Sequence, residues 1–323
     1  MNRRDGHDPA AYETQQHTIT VDAPAQVVYG IIADAPSWPV RFAPTVHVER
    51  TERSPGSERL RIWALAGDQV KAWTSHRELD PVGLLITFRQ EVSQPPIASM
   101  AGQWLMEPLP GDRTRVVLSH SFRAVNDDPQ DLAWIREVTD RNSTSELAGL
   151  KSVAEGLAGR DDDTEFSFED TVVVRGSAAD IYAFINDARE WADRLPHVSR
   201  MDLREDEPGV QVMEMDTVAP NGSVHTTKSV RVCFTDERIL YKQTVVPALM
   251  AAHTGEWRVV PVDDGVAVSS RHTVVLRPES VTSVLGPDAT LADARRFAHN
   301  ALSTNSGITL RHAKEFAEER ATV

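Results

Sequence analysis

Two side-chain types in this sequence are spaced to steady charge on a carbonyl or to move protons. In Trp73-Thr74-Ser75-His76-Arg77-Glu78-Leu79, a strand places Trp73, Ser75, Arg77 and Leu79 on one face, because successive strand side chains point to opposite sides. Facing an apolar pocket, Arg77 would be a permanent cation able to polarise a ketone and stabilise an enolate, with Ser75 beside it. Facing away, it would sit in solvent or in an ion pair, the commoner fate of a sheet arginine. His120 shares strand parity with Val116, Leu118 and Phe122, and His272 with Val268, Ser270, Val274 and Leu276. An inward imidazole is a general acid or base near neutral pH. It could equally be a core histidine bonded to a backbone carbonyl. Asn142 and Asn305 border apolar helical stripes, where an amide can donate to a ketone, hold a water or bond a nearby loop. Trp38, Trp63, Trp73, Trp104, Trp191 and Trp257 offer flat apolar walls for a ligand, or core packing. Tyr29, His47 and Thr45 are weaker polar candidates.

The remaining chemistry-bearing residues exclude several functions. The eleven histidines form no H-x-x-x-H or H-E-x-x-H pair, and the single cysteine, Cys233, permits neither an intrachain disulfide nor a cysteine metal cluster. No glycine-rich dinucleotide turn or phosphate loop occurs, so no metal and no cofactor is expected. A net charge of -14 disfavours nucleic acid, which requires a basic surface. No run approaches the roughly 18 apolar residues of a membrane helix. The polar start, residues 1–16, lacks the apolar stretch of a secretory signal. It reads as a disordered leader, and the protein as cytoplasmic.

The elements that must hold these residues occur twice. Val21-Asp22-Ala23-Pro24-Ala25 begins a segment in which Tyr29, Asp34, Ala35 and Trp38 return as Tyr182, Asp187, Ala188 and Trp191, each 153 positions on (29 to 182). Asn142-Ser143-x-x-x-Leu147 with Lys151 and Glu155 returns as Asn305-Ser306-x-x-x-Leu310 with Lys314 and Glu318, 163 positions on (143 to 306). About ten residues are therefore inserted before the second terminal helix. A repeat this long is a whole domain. The expected division is a domain at 17–159, an acidic linker at 160–165 and a second domain at 166–320. Each half reads as a strand, short helices, then strands near 60–65, 70–79, 84–92, 101–107 and 115–124 or their repeats. A long helix closes each half, at 132–157 and 291–319. This is an α+β layout in which a curved antiparallel sheet wraps the last helix around an interior pocket. At the place comparable to Arg77 stand His225, Thr227, Ser229 and Arg231. No arginine aligns cleanly there, so two chemically different pockets are expected.

The V-x-A-P-A start, Asp34-x-x-x-Trp38-Pro39 and the strand Trp73-Thr74-Ser75-His76-Arg77-Glu78-Leu79-Asp80 together resemble the polyketide aromatase/cyclases of bacterial type II polyketide synthases. The resemblance runs from Thr18 to about Glu319 and fits their di-domain subclass. It implies the helix-grip fold shared with START and Bet v 1 proteins. It also implies a poly-β-ketone carried on an acyl carrier protein, the carrier and other synthase components as partners, and aldol closure of a first ring between the seventh and twelfth carbons. Dehydration to an aromatic ring would follow. Arg77 matches the family's catalytic arginine, while Thr45 stands where some members have a pocket tyrosine. A non-catalytic carrier of a polyketide or lipid is the alternative, with Arg77 and His120 then outside an apolar cavity. A duplicated interaction module with closed pockets is a third reading.

Overall fold

A strand opens the first half earlier than its polar sequence predicts. The computed structural model describes residues 12–67, 69–157, 162–218 and 222–321. β1 (Glu13–Val21) already pairs with a later strand at Glu13, which lies opposite Phe122. The expected leader through residue 16 is corrected on that side, and its residues 1–11 lie outside the described ones. Glu13 is held by an ion pair with Arg136, and Gln15 donates to the Arg136 carbonyl at 3.2 Å. These polar residues thus cover an edge strand beside a helix.

The chain divides into two units, 1–159 and 160–323. In the first, β1 leads to α1 (Ala25–Ala33) and α2 (Trp38–Arg41). The extended Pro24 starts α1, and Pro39 costs nothing in the first turn of α2, where its missing N–H has no helical partner. Six strands follow: β2 (Thr45–Ser54), β3 (Ser57–Ala66), β4 (Gln69–Asp80), β5 (Leu85–Val92), β6 (Ile97–Leu109) and β7 (Arg113–Ala124). α3 (Pro129–Leu157) then lies against the sheet, whose antiparallel order is β1-β7-β6-β5-β4-β3-β2. The expected strands are all present. β2 was not foreseen, because its Thr45-Val46-His47-Val48-Glu49-Arg50 alternation carries few apolar residues.

The core lies between the inner sheet face and the helices. Val21, Ile86, Met106 and Leu118 from the sheet meet Val28 and Ile32 of α1 and Leu147, Leu150 and Ala154 of α3. Burying each larger side chain contributes about 1.5–3 kcal/mol. The repeated lysine and glutamate form a clasp at the edge: Lys151 Nζ donates to the Thr20 carbonyl at 2.8 Å, and Glu155 accepts from the Asp22 N–H at 2.9 Å.

The second unit repeats the plan. It comprises β8 (Glu165–Val174), α4 (Ala178–Asn186), α5 (Trp191–Arg194), β9 (Val198–Glu207), β10 (Val210–Val218), β11 (Val224–Phe234), β12 (Arg238–Val245), β13 (Met250–Val262) and β14 (Gly265–Leu276). The inserted residues build α6 (Val281–Leu285), and α7 (Leu291–Ala321) closes the domain. Its sheet order is the same, β8-β14-β13-β12-β11-β10-β9. The clasp recurs as Lys314 to the Val173 carbonyl and Glu318 to the Arg175 N–H, both at 2.9 Å. Of the expected linker, 160 and 161 lie outside the described residues, 162–164 form a 3-10 turn and Glu165 is already strand.

Candidate active site

The inner face of the first sheet and α3 enclose a cavity of about 160 Å³. Trp73, Ile97, Met100, Trp134 and Ile135 give it apolar walls, and Lys71, Gln90, Gln94, His120, Asn142 and Glu146 are among its polar lining residues. Asn142 and Glu146 lie four residues apart on α3, one above the other on a single helix face. Glu146 has a half-buried carboxyl whose pKa is raised to about 7 by burial. His120 reaches in from β7. Burial, with a smaller effect of His17, lowers its pKa to about 4, so the imidazole is neutral near pH 7. Its Nδ1 is buried without a hydrogen-bond partner among the described residues, and its ring meets the edge of Phe88 with centroids 5.4 Å apart. A cavity therefore holds a carboxyl that titrates near neutrality and an imidazole that can accept a proton or hydrogen bond.

Arg77 lies on the same sheet face but is not among the cavity-lining residues. Its side chain is 2 % exposed. Nε donates to Glu58 at 2.9 Å, Nη1 to the Ile32 carbonyl at 2.9 Å, and Nη2 to the Ala33 carbonyl at 3.0 Å and to Glu58. The guanidinium thus fastens the end of α1 to the sheet. Trp38, expected as a substrate wall, packs against that guanidinium at 4.9 Å and edge-on to Phe42. Ser75 is buried and donates to the Arg89 carbonyl at 3.3 Å, and Trp104 belongs to the core with Ile86 and Leu118. Trp63 points to the opposite face from Leu60 and Ile62, against His47 and Arg61. Trp73, His120 and Asn142 are the expected residues that converge on the cavity.

In the second domain the same register carries different chemistry. Across the first sheet, Glu58, Arg77, Phe88, Gly102 and His120 are successive partners. Their counterparts are Gln211, Arg231, Tyr241, Gly255 and His272. Arg231 is therefore the equivalent of Arg77, contrary to the sequence expectation. One extra residue between β10 and β11 moves the offset from 153 to 154 (77 to 231) and hides the match. Arg231 donates to the Ile185 carbonyl at 2.6 Å and lies 5.5 Å from the Trp191 ring, repeating the attachment to the first helix. Trp191 donates to the Phe184 carbonyl and Trp257 packs in the core. His272 Nδ1 lies 3.0 Å from both Tyr241 Oη and His253 Nε2, and its Nε2 lies 3.2 Å from Ser270 Oγ. Burial lowers the pKa values of His272 and His253 to about 4 and about 3. Glu146 is answered by Thr309, whose hydroxyl donates to the Asn305 carbonyl at 3.2 Å.

The family model described as "Polyketide cyclase / dehydrase and lipid transport" matches residues 14–155 and again 165–303. The chain belongs to the polyketide cyclase/dehydrase and lipid transport family. It is 45% identical over 304 residues to the granaticin polyketide synthase bifunctional cyclase/dehydratase of Streptomyces violaceoruber, covering 94% of each chain. It is 47% identical over 307 residues to the actinorhodin polyketide synthase bifunctional cyclase/dehydratase of Streptomyces coelicolor, covering 92% of this chain and 94% of the relative. Among solved structures, the di-domain ARO/CYC BexL from the BE-7585A biosynthetic pathway matches with a TM-score of 0.84 and 51% identity over 95% of this chain and 99% of that one. Within the family this is thus a di-domain polyketide aromatase/cyclase of the type II synthase kind, with a helix-grip fold in each half.

Two polar groups of this aromatase/cyclase were missed in the sequence. Glu146 falls one turn after Asn142 beside the Ser143–Leu147 stripe, so helical spacing already placed it next to the pocket. Tyr241 is recognisable only through register, as the residue opposite both Arg231 and Gly255. Among the described residues no group of three or more histidine, cysteine, aspartate or glutamate side chains is placed to hold a metal, and no helix is long and apolar enough to cross a membrane.

Proposed function

We propose that this aromatase/cyclase closes the first ring of an acyl-carrier-protein-bound poly-β-ketone between its seventh and twelfth carbons and dehydrates it, with the chemistry in the N-terminal cavity. The observation carrying this reading is that Glu146 and His120 line one cavity of single-ring size. An apolar cavity near 150 Å³ accommodates a benzene, so about 160 Å³ fits one closing ring while the rest of the chain extends through the mouth. A methylene between two ketones is acidic, and neutral His120 accepts its proton. The resulting carbanion attacks the facing carbonyl, and protonated Glu146 supplies the proton that the new alkoxide takes up. Dehydration reuses the pair once His120 has released its proton to solvent and Glu146 has taken one up: His120 accepts the proton of an adjacent C–H, whose electron pair becomes the new double bond, the C–O bond breaks, and the hydroxyl leaves as water with the proton from Glu146. Asn142 orients a ketone oxygen by donating its amide N–H. Walls of Trp73, Trp134 and Ile97 fix which carbons meet, which is the main source of rate and regiochemistry.

A non-catalytic carrier would leave the cavity lining apolar, and the carboxyl of Glu146 weighs against it. The test is to feed ¹³C-labelled acetate units to a minimal polyketide synthase with and without this chain and to assign the ring carbons by NMR. One aromatic product joined between the seventh and twelfth carbons supports the reading. A product mixture unchanged by the protein rejects it.

A further inference from the structure

The inner face of β1 turns polar toward its start. Ile19 and Val21 pack into the core, while Glu13, Gln15 and His17 share their parity and meet α3: Glu13 pairs with Arg136, Gln15 donates to the Arg136 carbonyl, and His17 Nε2 lies 2.8 Å from Asp140 Oδ1. The His17 side chain is 15% exposed and that of Asp140 66%, so the pair runs from the interior to solvent. Register sets it beside His120. Gln15 lies opposite His120 and His17 opposite Leu118, which makes the two histidines diagonal neighbours about 7–8 Å apart along the backbone, close enough for the charge of His17 to act on His120. Gln15 Oε1, His17 Nδ1 and His120 Nδ1 are buried with no hydrogen-bond partner among the described residues. Three such atoms on adjoining residues suffice to hold an ordered water, which typically makes about three hydrogen bonds. The second domain breaks this row. Phe168 takes the place of Gln15 opposite His272 and stacks on it at 4.9 Å, Asp170 takes that of His17, and Ser303 that of Asp140.

We propose that His17 and Asp140 are the exit through which His120 returns its proton to solvent between ring closure and dehydration. The inference rests on the reading above, in which His120 is the base and has to be neutral again before it can serve the second step. The proton taken from the substrate C–H leaves His120 Nδ1 for the bridging water, and the water gives one of its own to His17 Nδ1. His17 Nε2 then yields its proton to Asp140, since a carboxylate can only accept, and the exposed carboxyl releases it to solvent. A half-turn of the His17 imidazole restores the starting tautomer. One proton leaves by this route while Glu146 takes one up in the cavity, so the site is returned to its first state with no change of net charge. The charged and titratable groups around His17 are Asp140 and, one turn away, Arg136 with its partner Glu13, and His120 on β7. His17 touches no substrate and acts through His120, which makes it a positioning residue for the proton.

The experiment supplies a reconstituted minimal synthase with the full-length chain carrying His17→Gln or Asp140→Asn, and follows by mass spectrometry the ring-closed product that still holds its hydroxyl against the aromatic one. His17→Gln should slow formation of the aromatic product about tenfold or more while ring closure continues, so that the hydroxylated ring accumulates. Added imidazole should restore the aromatic product, which a merely structural role of His17 would not allow. Asp140→Asn, a change at an exposed position that keeps the fold, should act in the same direction and decides the matter if His17→Gln fails to fold. Wild-type product ratios in the folded variants, or a loss that imidazole does not relieve, would overturn the proposal. Ring closure lost with His120→Gln while His17→Gln and Asp140→Asn run at the wild-type rate would overturn this exit and leave the N-terminal reading standing. Aromatic product formed at the wild-type rate with His120→Gln would remove both.

Discussion

At the scale of single residues, Arg77 and Glu146 show how burial decides a role. Arg77 has a buried carboxylate partner and two carbonyl acceptors, so its removal leaves Glu58 charged in the interior with Arg50 as remaining partner. Arg77→Met should cost about 3–5 kcal/mol of stability, read as a lower denaturant midpoint for the N-terminal domain. Adding Glu58→Leu should recover much of it. A well-folded Arg77→Met protein with abolished ring closure would instead return the arginine to catalysis. Burial raises the Glu146 pKa to about 7, above the ordinary carboxyl value of 4.5. Its neutral form is therefore favoured by the fold. Its contribution is fully present below pH 4.5 and is lost as the pH rises through about 7. Glu146→Gln should leave stability unchanged at pH 4 and raise it above pH 7 by on the order of 1–2 kcal/mol after discounting for partial exposure. Dehydration by the wild-type chain should decline over the same rise in pH, measured as product formed per minute between pH 6 and 8.5. A flat profile would exclude Glu146 as the proton donor.

At the scale of elements, the sheet rows set the sites. Gly102 and Gly255 share one constraint: a methyl at Gly102 would fall 2.2 Å from the Ser119 carbonyl oxygen and 2.5 Å from Phe88, and one at Gly255 2.3 Å from the Tyr241 ring. The glycines let an aromatic ring lie over the strand beside each histidine. Gly255→Ala should displace Tyr241 and destabilise by about 1–3 kcal/mol, and the tyrosine ring resonances in NMR spectra would report the movement. Unchanged resonances would show that the contact is slack. The strands, the long helices and their lysine–glutamate clasp were legible because periodicity and repetition write them into the sequence directly. Cross-strand neighbours were not. Trp63 was assigned to the pocket although the parity of Leu60 and Ile62 already opposed it, and Arg231 escaped recognition because one inserted residue shifted its register. The strand from Glu13 was hidden by its polarity, since backbone pairing with β7 and contacts to Arg136 hold it where apolar alternation does not.

At the scale of the whole molecule, duplication has kept one frame and changed the polar side chains set in it. Both domains retain the arginine that ties the first helix to the sheet, the glycine beneath an aromatic ring and the histidine beside it. They differ at Glu146 and Thr309, Glu58 and Gln211, Phe88 and Tyr241, and Trp73 and Thr227. The first domain therefore pairs a helix carboxyl with a lone imidazole, and the second a tyrosine with a linked histidine pair. The family's two-part chemistry, ring closure and loss of water, fits a chain in which the two interiors are not copies. The N-terminal cavity as the place of ring closure is tested most directly by mass spectrometry of the products of a reconstituted minimal synthase supplied with wild-type or Glu146→Gln protein. A single aromatic product that gives way to spontaneous cyclisation mixtures with the folded variant is the predicted result; the same aromatic product at the wild-type rate would contradict it.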